Sequence, residues 1–540
     1  MEIHEILIKN YKQLQDFQLK LSSTNSKLSP LSLRFLVGEN GSGKSSLIEA
    51  IGLIFTRAMH DESPGFEYEI IYSVINKIGN KTYVYLTNQP GRKLTGRLQV
   101  RTHSQKSKVK HAKIKEYRFS EQTELHPNRI FSLASGPNNE LEDVLLWSPL
   151  KSLHSDLYDK DEKISSGREI EINYLESLYK KFLLEPVCLN FDVKTAVYIL
   201  IALFFSMPRV EQERVGFLEK RRALLQDIPG LTPVGFSLTI GEKQIQSLRV
   251  KKANSENRKL PQFIDRFYRL LEHSWNQSYC SIEHTNDGQE PKVHRNFYFP
   301  MTIENEDVFR VMTIGEEEIS PLDLLTTFMV ASRAGYLKEA HIQFSHGHSK
   351  QILDENELSD GEWLWLCRMG LVLLAQNGNV DNVLFLFDEP DVFLNERWII
   401  DFVSDLHRYS QVSKFNGKFF EKGYMNHEYF IATHSTLMLT DALPTQTYIF
   451  QKRNRTKENE IELEAAQVQV STFAADRAEI SARLFTNKQR TGTYAQEKIN
   501  QAIEERNLKQ LNLIIDEVGP GFDRFRLEDV RLSINPLAKD

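Results

Sequence analysis

The stretch Gly38–Ser46 constrains this chain more than any other part of its sequence. It reads Gly-Glu-Asn-Gly-Ser-Gly-Lys-Ser-Ser and fits the pattern G-x-x-x-x-G-K-[S/T]. In such a loop the glycines let the backbone curl until several N–H groups converge on phosphate oxygens, and the following helix adds the positive end of its dipole. The apolar run Leu33–Val37 before the loop predicts a buried strand, and apolar residues at helical spacing after it predict a helix. The sequence therefore predicts a phosphate-binding strand, loop and helix.

The side chains of this loop have separate expected roles. Lys44 is expected to reach the β- and γ-phosphates of ATP, and the hydroxyl of Ser45 is expected to hold Mg²⁺. The remaining nucleotide-binding positions predicted in the loop are Gly38, Asn40, Gly41, Ser42, Gly43 and Ser46. The expected cofactors are therefore ATP and Mg²⁺.

Composition limits the class of protein. The 540 residues carry a net charge of −6, which argues against a surface that coats nucleic acid but leaves room for a local basic groove. Three widely spaced cysteines, Cys188, Cys280 and Cys367, form no metal or redox spacing and suit a reducing cytoplasm. The N-terminus has no apolar segment of signal-peptide type, and the longest apolar run, Ala196–Phe205, is too short to cross a bilayer. A cytoplasmic protein without a membrane span is expected.

Patterning divides the chain into four regions. Residues 1–145 contain the phosphate loop among strand-like runs and are expected to form the first half of an α/β head with a mixed central sheet. Residues 146–350 are expected to form a mostly helical insertion with a few strands. Residues 351–450 carry a second group of motifs and are expected to complete the head. Residues 451–540 are expected to form a C-terminal extension that docks a partner.

Two hairpins are predicted in the first region. Glu2–Lys9 and Phe17–Leu21 both alternate apolar and polar residues, which predicts a pair of antiparallel strands. Ile70–Ile75 and Thr82–Leu86 flank a Gly-Asn turn, which is typical of a hairpin.

A basic stretch follows at residues 101–118, with seven lysines and arginines against one acid. One interpretation is a ridge that follows the phosphates of a nucleic acid. The other is a solvated hairpin or loop, because few aromatic residues are interspersed to stack on bases. Both interpretations stay open.

The second group of motifs begins at residues 358–362, which read Leu-Ser-Asp-Gly-Glu and open a strongly apolar helix over Trp363–Ala375. Further along, the apolar run Val383–Phe387 predicts a buried parallel strand that ends in two carboxylates. Asp388 is expected to hold Mg²⁺, and Glu389 is expected to polarise the attacking water.

A third motif is Tyr429–Ser435, an apolar run that ends in Thr-His-Ser. Taken alone, His434 at the end of this run is better explained as a satisfied surface histidine than as a functional one. Only its position after the other motifs favours a functional role.

The order of these motifs along the chain resembles that of ABC-type ATPases, in particular the branch that contains RecF, SMC and OLD-like ATPases. The opening Ile-x-Ile-x-Asn-Tyr-Lys is also similar to that branch. The resemblance implies ATP hydrolysis by a head-to-tail homodimer or larger homo-oligomer, in which two heads enclose two ATP molecules. It implies that Ser359, Gly361 and Glu362 contact the nucleotide of the partner chain, that Glu389 is catalytic and that His434 lies beside the γ-phosphate. The chain departs from the branch because it has no coiled-coil arm, carries the insertion, and offers no clear Q-loop glutamine.

A narrower resemblance rests on the insertion, on Leu125–Gly136 and on Ile515–Phe525, which look like the ATPase subunit of Septu-type anti-phage systems. In that family the ATPase holds a separate HNH endonuclease in check. A retron-associated version would add a reverse transcriptase with its RNA and DNA as partners. The resemblance therefore implies a regulator of a separate nuclease.

Other functions fit parts of the pattern. The alternative is a RecF-like ATPase that binds DNA directly in repair or replication. A self-contained nuclease of OLD type would need an Asp-x-Asp motif in a further domain, and the sequence after His434 contains none. The histidines His341, His346 and His348 suggest a metal site, but their polar context favours a solvated loop.

Overall fold

The computed structural model describes residues 1–23, 29–60, 63–75, 81–88, 97–102, 115–134, 188–192, 194–208, 211–228, 230–253, 262–283, 292–300, 313–314, 317–346, 351–376, 381–415, 420–454, 461–485, 493–519 and 521–535. The strands are β1 Glu2–Lys9, β2 Phe17–Lys20, β3 Ser32–Gly38, β4 Glu67–Ile75, β5 Lys81–Thr87, β6 Arg97–Thr102, β7 Lys115–Arg118, β8 Arg129–Ala134, β9 Cys188–Phe191, β10 Leu231–Gly241, β11 Ser278–Glu283, β12 Lys292–Pro300, β13 Thr313–Ile314, β14 Glu317–Glu318, β15 Glu339–His346, β16 Gln351–Asp354, β17 Val383–Asp388, β18 Gln411–Phe415, β19 Phe420–Tyr424, β20 Glu428–Ala432, β21 Thr447–Asn454 and β22 Ile461–Gln467. The α-helices are α1 Lys44–Ala58, α2 Val197–Phe205, α3 Glu211–Gln226, α4 Glu242–Ala253, α5 Gln262–His273, α6 Pro321–Arg333, α7 Asp360–Ala375, α8 Glu396–Ser410, α9 Thr436–Leu439, α10 Arg477–Leu484, α11 Thr493–Glu505, α12 Leu508–Glu517 and α13 Phe522–Ile534. Within these ranges, no helix is both long enough and apolar enough to cross a membrane.

A seven-stranded mixed sheet lies at the centre of the head, in the order β22-β21-β3-β20-β17-β8-β9. Neighbouring strands are parallel except for β22, which pairs antiparallel with β21. β3, β17 and β20 are the apolar runs predicted as buried strands, and they are buried because such a sheet is covered on both faces. Their carboxyl ends meet at one edge, which brings the segments that follow them together. The predicted α/β class with a mixed central sheet is confirmed.

A second sheet is antiparallel, in the order β2-β1-β4-β5-β6-β7. It contains both predicted hairpins, β1 with β2 and β4 with β5. Ile6 of this sheet, Ile51 of α1 and Leu386 of the central sheet belong to one buried core. Every residue of α1 except Ser45 is buried, as expected for a helix enclosed on all sides. The helix after the phosphate loop is therefore held firmly by its surroundings.

The basic stretch at residues 101–118 starts in β6 and ends in β7, and these two strands pair in the register Arg97↔Arg118. Residues 103–114 lie outside the described residues. Nucleic-acid contact at this stretch stays a prediction.

The predicted insertion, residues 146–350, contains both helices and strands in its described part. Its described residues form helices α2–α6 and a five-stranded antiparallel sheet in the order β11-β12-β10-β15-β16. β9, at residues 188–191, lies within the predicted insertion but pairs with β8 of the head sheet. His341, expected in a loop, lies in β15 and its Nδ1 is 2.6 Å from Oε1 of Glu355. The loop prediction for His341 is therefore wrong. Each strand is only a short run in the sequence, and its pairing with distant segments cannot be seen in local patterning.

The chain divides into two compact units, Met1–Phe473 and Ala474–Asp540. The first unit extends past the predicted boundary at residue 450 because β21 and β22 complete the central sheet. The second unit contains α10–α13, and Leu511 and Leu527 are fully buried in its small core. The predicted extension, residues 451–540, therefore includes the whole of the second unit.

Candidate functional site

The phosphate loop joins the end of β3 directly to α1, and its bend depends on glycine at two positions. A Cβ on Gly38, whose φ is 149°, would lie 2.4 Å from the carbonyl oxygen of Phe450. A Cβ on Gly43, whose φ is 91°, would lie 2.9 Å from Cδ1 of Leu463. Gly43 is the N-cap of α1 and has no side chain to pair with the N–H groups of the first turn. Those groups can therefore receive an anion.

Two polar side chains inside the loop fit a phosphate group. Nζ of Lys44 donates to the carbonyl oxygens of Gly38 at 2.9 Å and Glu39 at 3.1 Å. Burial lowers the pKa of Lys44 to about 8, against the opposing effect of nearby carboxylates. The hydroxyl of Ser42 is buried and has no hydrogen-bond partner among the described residues. A phosphate could accept hydrogen bonds from both side chains and so compensate for their burial.

The remaining loop positions differ in their surroundings. Asn40 and Gly41 are exposed at the tip of the loop. The hydroxyl of Ser46 donates to Oε1 of Gln13 at 2.7 Å. This hydrogen bond holds α1 to the segment after β1, and nucleotide binding by Ser46 stays a prediction. Nothing in the sequence pattern indicated that segment as a neighbour of the loop.

The two predicted Mg²⁺ ligands lie together. The hydroxyl of Ser45, at the start of α1, donates to Oδ1 of Asp388, at the end of β17, over 3.1 Å. Burial raises the pKa of Asp388 to about 6, and the hydrogen bond from Ser45 opposes that shift. A hydroxyl and a carboxylate are hard oxygen donors of the kind that Mg²⁺ prefers. This donor pair fits a Mg²⁺ ion that takes its other ligands from phosphate and water.

The predicted catalytic pair also comes together. Nε2 of His434, just after β20, lies 3.6 Å from Oε1 of Glu389. Glu389 has a φ of 50°, and its N–H donates to the carbonyl oxygen of Ala432 at 2.9 Å. Burial, followed by the nearby Lys44 ammonium, lowers the pKa of His434. A left-handed conformation at a glutamate costs energy, and such strain is concentrated at functional sites.

A supporting network lies behind this pair, and the sequence pattern did not indicate it. Oγ1 of Thr433 donates to Oδ1 of Asp391 at 2.7 Å, which ties the residue before His434 to the loop after Glu389. Arg368 of α7 is fully buried, and its Nη2 donates to the carbonyl oxygen of Val392, in the loop that contains Asp391, over 3.5 Å. The network therefore connects the helix of the Leu-Ser-Asp-Gly-Glu motif to the catalytic pair.

The Leu-Ser-Asp-Gly-Glu motif forms the start of α7. Ser359 is the exposed N-cap, and its hydroxyl lies 2.8 Å from Oε2 of Glu362 and accepts from the Glu362 N–H at 3.3 Å. The same carboxylate accepts from the Ser359 N–H at 2.9 Å, which completes a capping box. The carboxylate of Glu362 therefore stabilises the helix end, and its nucleotide contact stays a prediction. A Cβ on Gly361 would lie 2.6 Å from the carbonyl oxygen of Phe393, so glycine is required by the close approach of that loop.

Comparison with known proteins agrees with this geometry. Residues 1–181 match the protein family described as "AAA ATPase domain". That stretch contains the phosphate loop and α1. No curated protein matches the chain. A matching solved structure is titled "Structure of the recombination mediator protein RecF-ATP in RecFOR pathway"; it is 12% identical, with a TM-score of 0.26, over 80% of this chain and 92% of that chain. A similarity at that level supports no statement on function.

Proposed function

We propose that this chain is an ABC-type ATPase that hydrolyses ATP with Mg²⁺ and uses the cycle to control a separate effector. The observation that carries the ATPase assignment is the convergence of three predicted groups at one edge of the central sheet. These are Lys44 within the phosphate loop, the Ser45–Asp388 pair and the Glu389–His434 pair. Phosphate binding, metal binding and water activation need these three groups within reach of one another.

Each residue has a distinct role in this proposal. Lys44 and the first-turn N–H groups of α1 bind the phosphates, and Ser45 and Asp388 hold Mg²⁺, which supplies positive charge when bound. Glu389 accepts a hydrogen bond from the attacking water and orients it. The ring N–H of His434 can donate to a phosphate oxygen, and its Nε2 lies 3.6 Å from Oε1 of Glu389.

Two substitutions test the assignment. Lys44→Ala should abolish ATP binding, because the phosphates lose their buried cation. Glu389→Gln should keep binding and lower the rate of phosphate release by on the order of 10²–10³, because only water positioning is lost. Glu464→Gln, on the exposed face of β22, is the matched control and should match the wild type. Turnover by Glu389→Gln at the wild-type rate would show that the base is assigned wrongly.

We also propose that two heads associate head to tail and share their sites. Support comes from Ser359, which is exposed at the N-terminus of α7 and can meet a phosphate bound to another chain. Ser359→Asp should keep the helix cap but repel that phosphate, and Ser359→Asn is the neutral control. Neither Lys44→Ala nor Ser359→Asp should turn over ATP alone, whereas mixing them should restore one composite site in some dimers. A mixture no more active than its components would contradict sharing.

The effector in this proposal is an HNH-type nuclease of a bacterial anti-phage system, with a retron reverse transcriptase as a further partner in some systems. The support is the resemblance to Septu ATPases and the separate unit Ala474–Asp540, on which Leu513, Phe522 and Phe525 are exposed. The test is purification of the complex from the native operon. An HNH nuclease whose cutting changes in Lys44→Ala would support the proposal. Direct ATP-dependent DNA binding without such a partner would favour the RecF-like alternative.

A further inference from the structure

The hairpin of β21 and β22 brings a second lysine to the phosphate loop. β21 pairs in parallel with β3 up to the partners Phe450↔Gly38, where β3 ends, and then continues through Asn454. Side chains alternate between the faces of a strand, so Lys452 projects on the same face as Phe450. The register of the hairpin places Lys452 opposite Leu463 of β22. Lys452 therefore lies just beyond the end of β3, where the loop begins.

The hairpin contacts the loop at successive glycines. The Phe450 carbonyl oxygen blocks a Cβ at Gly38, and Leu463 blocks one at Gly43. Between these two points, Nζ of Lys452 lies 3.4 Å from the Cβ position of Gly41. The amine is thus in van der Waals range of the loop tip, and the packing on either side holds its strand there.

The two lysines at the loop have different surroundings. The amine of Lys44 is buried and donates to two loop carbonyls. Lys452 is exposed and makes no hydrogen bond or ion pair with the residues that the structure describes. The site also contains the carboxylates of Asp388 and Glu389, which would repel a polyphosphate. An added cation at the loop tip offsets that repulsion.

We propose that Lys452 is a second cationic ligand for the phosphate chain of the nucleotide, reaching it from outside the loop of the same molecule. This inference rests on the proposed function, in which the loop binds ATP. The backbone of such a loop surrounds the α- and β-phosphates, while its own lysine reaches the β- and γ-phosphates. Lys452, at Gly41, therefore contacts phosphates that ATP and ADP share. It contributes to affinity and leaves the chemical step, at Glu389 and His434, unchanged.

The test compares Lys452→Ala with Lys452→Arg and with Gln451→Ala. Gln451 is the matched control because it is exposed on the same strand but on the opposite face. Binding of ATP, ADP and adenosine is measured by calorimetry at low and high salt, together with kcat. Lys452→Ala should raise the Kd of ATP and of ADP by about 3- to 10-fold, with kcat unchanged. The effect should shrink at high salt, Lys452→Arg should retain affinity, and adenosine binding should not change.

Several outcomes would overturn the inference. An unchanged Kd for ATP in Lys452→Ala would exclude the contact, and a lower kcat with an unchanged Kd would place the amine at the chemical step instead. An equal loss of affinity in Gln451→Ala would show that disturbance of β21, not charge, is responsible. If the wild-type chain binds neither ATP nor ADP, both the proposed function and this inference are wrong. If the wild-type chain binds ATP but Lys452→Ala binds it equally well, only the role of Lys452 is wrong and the proposed function is unaffected.

Discussion

Replacement of Gly361 by alanine sets two physical effects against each other. In an isolated helix the change stabilises, because alanine is a better helix former than glycine by about 1 kcal/mol. Here the new Cβ would lie 2.6 Å from the backbone carbonyl oxygen of Phe393 and 3.4 Å from the ring of Trp398. A carbonyl cannot rotate away as a side chain can, so the loop after Glu389 must move.

The steric clash is expected to outweigh the gain in helix propensity. Forcing an extra carbon into a packed site costs about 1–3 kcal/mol. After the gain of about 1 kcal/mol from helix propensity, the net loss in the free energy of unfolding should be about 0–2 kcal/mol. The loop that must move begins at Glu389, so kcat should also fall, by roughly 3- to 10-fold for a displacement of a few tenths of an ångström. Gly370→Ala, on the same helix, is the control. Its Cβ would meet only side-chain carbons, with Leu203 at 3.2 Å and Ile199 at 3.4 Å.

Urea denaturation followed by tryptophan fluorescence measures the loss in the free energy of unfolding. Trp365 of α7 and Trp398 of α8 stack with their ring centroids 5.7 Å apart, so the signal reports on this helix pair. Steady-state phosphate release measures the fall in kcat. Gly361→Ala should be less stable and slower than Gly370→Ala, which should stay within about 1 kcal/mol of the wild type. Equal stabilities for the two variants would refute the steric account.

The remaining predictions concern pH and a buried ion pair. Because burial raises the pKa of Asp388 to about 6, kcat/KM should fall as the pH drops through 6, since protonation of the free protein removes a Mg²⁺ ligand. A pH profile of kcat/KM checks this, because it reports the pKa of the free protein, and a flat profile down to pH 5 would contradict it. Because burial lowers the pKa of Lys44 to about 8, ATP affinity of the free protein should fall as the pH rises through 8, as measured by calorimetry. Arg34 and Glu428 are both fully buried with Nε and Oε1 3.2 Å apart, so Arg34→Met should lower the free energy of unfolding by about 3–5 kcal/mol in urea denaturation. Adding Glu428→Leu should recover part of that loss, and no recovery would show that the orphaned charge is not the cause.

Predictions made from contiguous residues agree with the structure. The phosphate loop, the strand that ends in Asp388 and the strand before His434 are each encoded by a short run, and each forms where it was expected. The hairpins near the N-terminus also formed as predicted. The boundaries of the insertion and of the C-terminal unit did not follow from patterning, because β9 and β22 join the head sheet from distant segments.

The sequence by itself indicated the main side chains of the candidate site: a lysine inside a glycine-rich loop, a serine and a carboxylate predicted to hold Mg²⁺, and a glutamate and a histidine at strand ends. Only the tertiary structure decided which other side chains join them. Arg368 reaches the loop near Asp391, Ser46 turns to Gln13, and Lys452 reaches the tip of the phosphate loop. The physical reason is that local patterns encode the backbone of each element, whereas these contacts depend on the order and register in which distant strands pair.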